Sequence, residues 1–446
     1  MARPILSRLK TNVLDLDWRR ITRLASSDAD EGDIGEMCVA LTSARGQASG
    51  VALAGLILER YRQLTDRERT EFFQDLAENF DPDPDEITDA AQRFAADSSA
   101  EALKRLSEVV EPPRQELLRR LNRTEGGTAA LVSMRSDLLS RLHDNPDLLR
   151  IDNDFRHLLS SWFNRGFLVL EPITWATAAD ILEKIIDYEA VHEIADWADL
   201  RRRVQPPDRR CYAFFHPSLP REPLVFVEVA LTVGTPDSIS GLLDDERQPV
   251  AAEDADTAVF YSISNCQVGL RGVSFGNFLI KQVAAGLAND MPNLSDFLTL
   301  SPAPGFAAWV RNRERSDIGG GLAAELTDLV AQAYWTDDPT ALARHGELTR
   351  ELAAVYFVTA KTPHGTPVDP VARFHLGNGA FLKAIHPQAN LSPAGIGLSL
   401  GLMVNYHYDL RYIEENHEAY VTDHTVKAAA NIIELAAACA NEGEQG

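Results

Sequence analysis

Residues 260–306 read FYSISNCQVGLRGVSFGNFLIKQVAAGLANDMPNLSDFLTLSPAPGF. An apolar strand enters a glycine-punctuated loop, an amphipathic helix follows, and a second short strand ends on Ser301 between Leu300 and Pro302. Phe275, Phe278, Leu279, Val283 and Leu287 recur on one helical stripe. Gly272 and Gly276 stand at its start, where a backbone without Cβ can approach a ligand. Free N–H groups and the helix dipole at such a start favour a phosphate. The segment therefore implies a site that grips an anionic, phosphate-bearing ligand and brings its far end to Ser301. By itself the loop reads equally well as a strand-to-helix turn without a ligand. No Lys-Ser/Thr pair follows the second glycine and no G-x-G-x-x-G is present, so neither a Walker A loop nor a Rossmann fingerprint fits.

Outward from this stretch, 446 residues suffice for two or three domains. Residues 1–165 carry helical spacing with little strand character, as at Leu117, Leu118 and Leu121 and again at Leu138, Leu139 and Leu142. The run Asp81-Pro82-Asp83-Pro84-Asp85-Glu86 breaks two helices and reads as a solvated linker. This part is expected to be a packing or oligomerisation domain. From about residue 166 to 446, β-branched and aromatic runs at 167–170, 212–215, 224–232 and 257–263 alternate with helical patterns. That alternation implies an α/β second domain. Residues 320–360 read as a helical insertion, and an alanine-rich helix at 423–441 should pack on the body or on a partner subunit.

With 66 acidic and 43 basic residues the net charge is −23, which argues against nucleic acid or an anionic membrane as main partner. Cys38, Cys211, Cys266 and Cys439 form no C-x-x-C pair, so neither a zinc site nor a disulfide framework is indicated, and a reducing cytoplasm fits. No run approaches the roughly 18 apolar residues of a membrane span. Asp15 and Asp17 follow the early basic residues directly, and no signal peptide is expected.

Ser301, at a strand end and followed by Pro302 and Pro304, is well held for positioning work but lies outside any G-x-S-x-G. An ordinary Ser-Pro turn is its competing reading. His375, between Phe374 and Leu376, could be a satisfied core histidine; as a catalytic group its near-neutral pKa would suit proton donation to a carbanion. Asn378 and Gly379 indicate a turn directly after it. His407, Asp409 and His417 match no strong metal motif. Arg201, Arg202, Arg203, Arg209 and Arg210 read as a solvated face or ion-pair partners, and Glu228 as an outward-facing strand carboxylate.

Gln267–Gly272 matches the Q/R-x-x-G-x-G/A pattern of the acetyltransferase (GNAT) superfamily loosely, with its glycine one place early. A longer set of segments is more specific. Asp208 to Pro217, Glu222 to Thr232, Phe260 to Ser264, Gly272 to Lys281, Leu300 to Phe306, Phe374 to Ala380 and Gly401 to Tyr406 resemble the malonyl-CoA decarboxylase family. They follow in consistent order across about residues 155–425.

The resemblance implies an α+β protein: an N-terminal all-helical domain, then a GNAT-like α/β catalytic domain whose two parallel strands splay. Those strands would be 257–263 and 297–300. It implies decarboxylation of malonyl-CoA to acetyl-CoA, no cofactor, and homo-oligomers, a tetramer among the sizes it allows. It places Ser301 and His375 at the catalytic positions, and Arg271, Gly272, Val273, Ser274, Phe275, Gly276 and Asn277 in the substrate-binding loop. Asn405 and Tyr408 are expected to line the pocket. Ser274 stands where vertebrate relatives carry a glutamate, so no role of that carboxylate transfers. An N-acyltransferase of the same fold and a non-catalytic acyl-CoA sensor are the competing functions; release of acetyl-CoA separates the first, and carbon dioxide release the second.

Overall fold

A computed structural model describes residues 33–43, 47–273, 279–313 and 318–443. They divide into two compact units. Residues 216–222 and 267–273 belong with the helical first unit, although they follow strands of the second.

The first unit runs from helix Ile34–Thr42 to helix Leu149–Trp162. Its helix ends are written in the sequence. Thr65 and Glu68 form a capping box on Asp66–Asn79, Asp83 caps Pro84–Ala96, and Ser99 caps Ala100–Val110. Phe72, Phe73, Leu117, Leu118, Leu121, Leu138 and Phe155 fill the core. The acidic run at 81–86 does separate two helices, but Asp81 is not free in solvent: it pairs with the buried Arg114 and with Arg150. Arg135, 1% exposed, donates to Asp152 at 2.8 Å and to the Gly269 carbonyl at 2.7 Å. Gly269 meets helix Gly127–Leu139 so closely that a Cβ would lie 1.9 Å from the Val132 carbonyl oxygen.

The second unit is built on one sheet. Its strands are β1 (Val169–Ile173), β2 (Arg209–Phe215), β3 (Val225–Thr232), β4 (Thr257–Asn265), β5 (Asp296–Thr299), β6 (Ser301–Pro302), β7 (Phe381–His386) and β8 (Met403–His407). The order is β1-β2-β3-β4-β5-β8-β6, with β7 also on β8. β4 and β5 pair in parallel from Thr257↔Asp296 to Phe260↔Thr299, while the other described strand pairs are antiparallel. The parallel pair ends where β4 is bulged. Its partners on β3 jump from Val229↔Phe260 to Glu228↔Ser262, which leaves Tyr261 as the extra residue and bends the strand. The Leu300 N–H still reaches the Phe260 carbonyl at 3.1 Å, and then the chain leaves. β4 continues to Asn265 beside β3, whereas Ser301 turns to pair with Val404 of β8. This is the splayed parallel pair expected of a GNAT-like domain.

Two readings of charged residues are corrected here. Glu228 does not face outward: it is fully buried and pairs with Arg203 at 3.3 Å. Burial, with Glu189 nearby, pushes its carboxyl up to about 8. Alternation on β3 was read against one solvated face, but helices cover this face and Cys211 of β2 lies directly across from Glu228. Of the arginines, Arg203 and Arg209 are not on a solvated face: Arg203 is buried as the expected ion-pair partner, with Asp199 and Glu228, and Arg209 is buried over the Tyr261 ring and against the Leu242 carbonyl. The terminal helix resolves into Ile413–Asp423 and Ala430–Gly443, and the latter packs on Pro339–Val358 of the same unit.

Candidate active site

Ser301 is the first residue after the parallel strands part. Thr299 and Ser301 carry their hydroxyls to one place: Ser301 Oγ donates to Thr299 Oγ1 at 2.9 Å, and the Tyr406 N–H also reaches Thr299 Oγ1, at 3.1 Å. Pro302 cannot donate to a ladder, which keeps β6 to two residues and ends the strand just beyond the serine.

His375 arrives from a different part of the chain. It occupies the last turn of helix Pro370–Gly377, which Asp369 caps and Pro370 opens. The turn foreseen at Asn378 and Gly379 is the helix end. Gly379 has φ +83°, and a Cβ there would come within 2.0 Å of the Ile413 carbonyl oxygen. Only glycine fits.

Together the two segments set Ser301 Oγ 3.1 Å from His375 Nε2. His375 Nδ1 lies 2.7 Å from the Tyr408 hydroxyl, and the ring stacks on Tyr406 with centroids 4.6 Å apart. Tyr406 and Tyr408 are two apart on β8, so both present to the same face. Ser301 and His375 are 6% and 2% exposed, and Tyr408 is fully buried.

The electrostatics correct one expectation. His375 does not titrate near neutrality: burial without a carboxylate partner lowers it to about 3. The ring is therefore neutral at working pH. Burial also pushes the Tyr408 hydroxyl well above its usual value, so it keeps its proton. A phenol that keeps its proton, 2.7 Å from Nδ1, donates to that nitrogen, which leaves the ring proton on Nε2 facing Ser301. The resting order is then Tyr408 to His375 to Ser301 to Thr299. Because a histidine stays neutral above its folded pKa, kcat/KM should stay level as pH falls from 8 through 6.5, with loss only below about 5. A pH–rate profile with its acid limb centred at 6.5 would contradict this state of His375.

The remaining expected site residues are placed as follows. Asn405 is fully buried; it donates to the Thr299 carbonyl at 2.7 Å and its side-chain oxygen meets His386 Nε2. Arg271, Gly272 and Val273 belong to the first unit, and Gly272 has φ +74°, the conformation that a glycine was expected to supply. Ser274, Phe275, Gly276 and Asn277 lie outside the described residues. Helix Leu279–Asp290 buries Leu279, Val283 and Leu287 of the expected stripe. The sequence reading missed Thr299 and Tyr406. Their one signal was the alternation Tyr406-His407-Tyr408, which puts two aromatics on one strand face.

A model of the malonyl-CoA decarboxylase C-terminal domain matches residues 166–445, and one of its N-terminal domain matches residues 80–163. The chain belongs to the malonyl-CoA decarboxylase family. Within that family it is 37% identical over 362 residues to "Malonyl-CoA decarboxylase, mitochondrial" of Anser anser anser, spanning 75% of this chain and 71% of the relative. The crystal structure of malonyl-CoA decarboxylase from Rhodopseudomonas palustris is 51% identical, with a TM-score of 0.86 over 90% of this chain and 98% of that one. The enzyme structure from Agrobacterium vitis is 48% identical, with a TM-score of 0.85 over 91% and 99%. For a malonyl-CoA decarboxylase family member, a serine and a neutral histidine at the opening between parallel strands are the groups to consider first.

Proposed function

We propose that this chain is a carboxy-lyase that converts malonyl-CoA to acetyl-CoA and carbon dioxide at Ser301 and His375. The observation that carries the reading is the 3.1 Å contact between these side chains where β4 and β5 separate. When the carboxylate C–C bond lies perpendicular to the thioester plane, its electrons pass into the carbonyl as carbon dioxide leaves. An enolate remains, and C2 must then take a proton. Ser301 orients the carboxylate or carbonyl. His375 supplies the proton from Nε2, the Tyr408 hydroxyl steadies the ring by donating its hydrogen bond to Nδ1, and a proton from solvent restores Nε2 as product leaves. Neutrality of His375 serves the first step. A cation beside the carboxylate would stabilise the charge that has to leave and would deepen the ground state.

In this reading residues 271–277 hold coenzyme A. Asn405 shapes the pocket and Tyr408 acts through His375. Residues 166–446 form the catalytic domain and 1–165 the packing or oligomerisation domain. Homo-oligomer formation is supported by Leu103 and Val110 of helix Ala100–Val110, 50% and 46% exposed. A reducing, cytoplasmic setting is supported by four scattered, buried cysteines with no C-x-x-C pair among them.

Purified protein given malonyl-CoA without added metal or nucleotide should release acetyl-CoA and carbon dioxide in equal amounts. Free CoA appearing only with an added amine would indicate acyl transfer instead, and binding without product would indicate a sensor. Ser301→Ala should lower kcat by about 10²-fold; turnover at the wild-type rate would remove Ser301 from the chemistry.

A further inference from the structure

Two separate segments carry Ser301 and His375, and one buried carboxylate touches both. After Ser301 come Pro302, Ala303, Pro304 and Gly305, and helix Phe306–Arg311 starts there. Before His375 comes Asp369, the cap of helix Pro370–Gly377, and it is 1% exposed. Asp369 Oδ1 accepts the Ala372 N–H at 2.8 Å, and Oδ2 accepts the Tyr356 hydroxyl at 3.0 Å. The Gly305 turn lies against the same carboxylate, a Cβ there falling 3.8 Å from Oδ2, and the N–H groups of Gly305 and Val371 favour its charged form.

Tyr356 belongs to helix Pro339–Val358, and its ring meets Phe306 and Trp309 with centroids 5.4 and 5.1 Å away. Gly305 has no room for a side chain: a Cβ would sit 2.5 Å from the Tyr356 hydroxyl. Arg373 donates to the carbonyls of Pro367 and Val368 at 2.8 and 2.9 Å, which holds the loop leading into the cap.

An ordinary N-cap needs one acceptor at the surface, and Ser, Thr or Asn serve nearly as well. Asp369 is different in kind. Burial pushes its carboxyl up, and donors from three chain segments pull against that shift. A carboxylate accepts on both oxygens, whereas an amide has one acceptor oxygen and an NH₂ that only donates.

We propose that Asp369 is a positioning residue for the reaction: its carboxylate, shared by the Gly305 turn, Tyr356 and the start of the His375 helix, sets the Ser301–His375 separation. The role in turnover rests on the decarboxylase reading above; the separation is a property of the chain itself. The chemistry needs that separation because displacing a reacting group by about 1 Å can cost about 10²-fold in rate.

Asp369→Asn tests the role in the full-length protein. The variant keeps one oxygen for the Ala372 N–H, so the helix stays capped, but it turns an NH₂ toward Tyr356 and Gly305. Measured well below the melting temperature, kcat should fall by about 10²-fold while KM stays within about threefold. A crystal structure of the variant should show Ser301 Oγ and His375 Nε2 beyond hydrogen-bond reach. Tyr356→Phe should give a smaller fall in kcat of the same kind. A lower melting temperature with kcat per folded molecule unchanged would reduce Asp369 to an ordinary cap and overturn the proposal. A lost kcat with the serine–histidine contact intact would overturn it as well. If the wild-type chain itself fails on malonyl-CoA, the decarboxylase reading falls, and the separation seen in Asp369→Asn still decides this one.

Discussion

His375→Asn should lower kcat by about 10²–10⁴-fold and leave KM within a few-fold. The asparagine side chain is shorter than imidazole and has no proton that it can give up and regain. In the wild type a hydrogen-bonded path runs through the ring: Nε2 stands 3.1 Å from Ser301 Oγ, and Nδ1 accepts from the Tyr408 hydroxyl at 2.7 Å. Both ends of that path disappear together. The loss belongs to kcat because, in the proposed reaction, His375 faces the acyl end of the substrate, while most of the binding contacts are expected along coenzyme A. Stability should also drop by about 1–3 kcal/mol, the cost of leaving the buried Tyr408 hydroxyl without its partner. Steady-state rates at saturating malonyl-CoA, paired with thermal melts, separate the two effects. A variant that turns over within threefold of wild type would end the assignment of His375 as proton donor.

The second large effect concerns the helical unit. Arg135→Ala should destabilise it by about 3–5 kcal/mol, as expected when one partner of a buried ion pair is removed. Arg135 is 1% and Asp152 4% exposed, so the pair is cut off from bulk water. The substitution strands the Asp152 carboxylate and leaves the Gly269 carbonyl unpaired. Gly269 already presses against Val132, so the turn at 267–273 would lose its main polar tie and keep its tightest contact. Replacing both partners, as in Arg135→Met with Asp152→Leu, should recover most of the loss, because a packed apolar pair carries no stranded charge. Denaturant melts of the full chain would show the shift in the transition of the helical unit. A change below about 1 kcal/mol for Arg135→Ala would mean that the pair is solvated.

Much of the site was legible because its signals are local. Gly272 needed a left-handed backbone, Pro302 and Pro304 had to end the strand at Ser301, and Gly379 had to close the helix after His375; each follows from one residue's own stereochemistry. Glu228 was misread because strand alternation tells two faces apart without telling whether helices cover both. His375 was misjudged in its pKa for a related reason. The imidazole's ordinary value is local, but its desolvation depends on Tyr406 and Tyr408, which stand more than thirty residues further along. Asp369 carried the mark of a helix cap and nothing in its neighbourhood to say that Gly305 and Tyr356 would meet it.

The amino-acid sequence by itself determined the order of helices and strands, the break at Ser301 and the residue types available for chemistry. Its ordered likeness to one family also placed Ser301 and His375. Those properties rest on dihedral preference, periodicity and side-chain identity, which a residue carries wherever it lies. The tertiary structure alone decided that the bulge at Tyr261 parts β4 from β5, that His375 is neutral, and that the Asp369 carboxylate lies between the Gly305 turn and the His375 helix. These depend on distance and on the exclusion of water, and both come into being only when remote parts of the chain close around the same point.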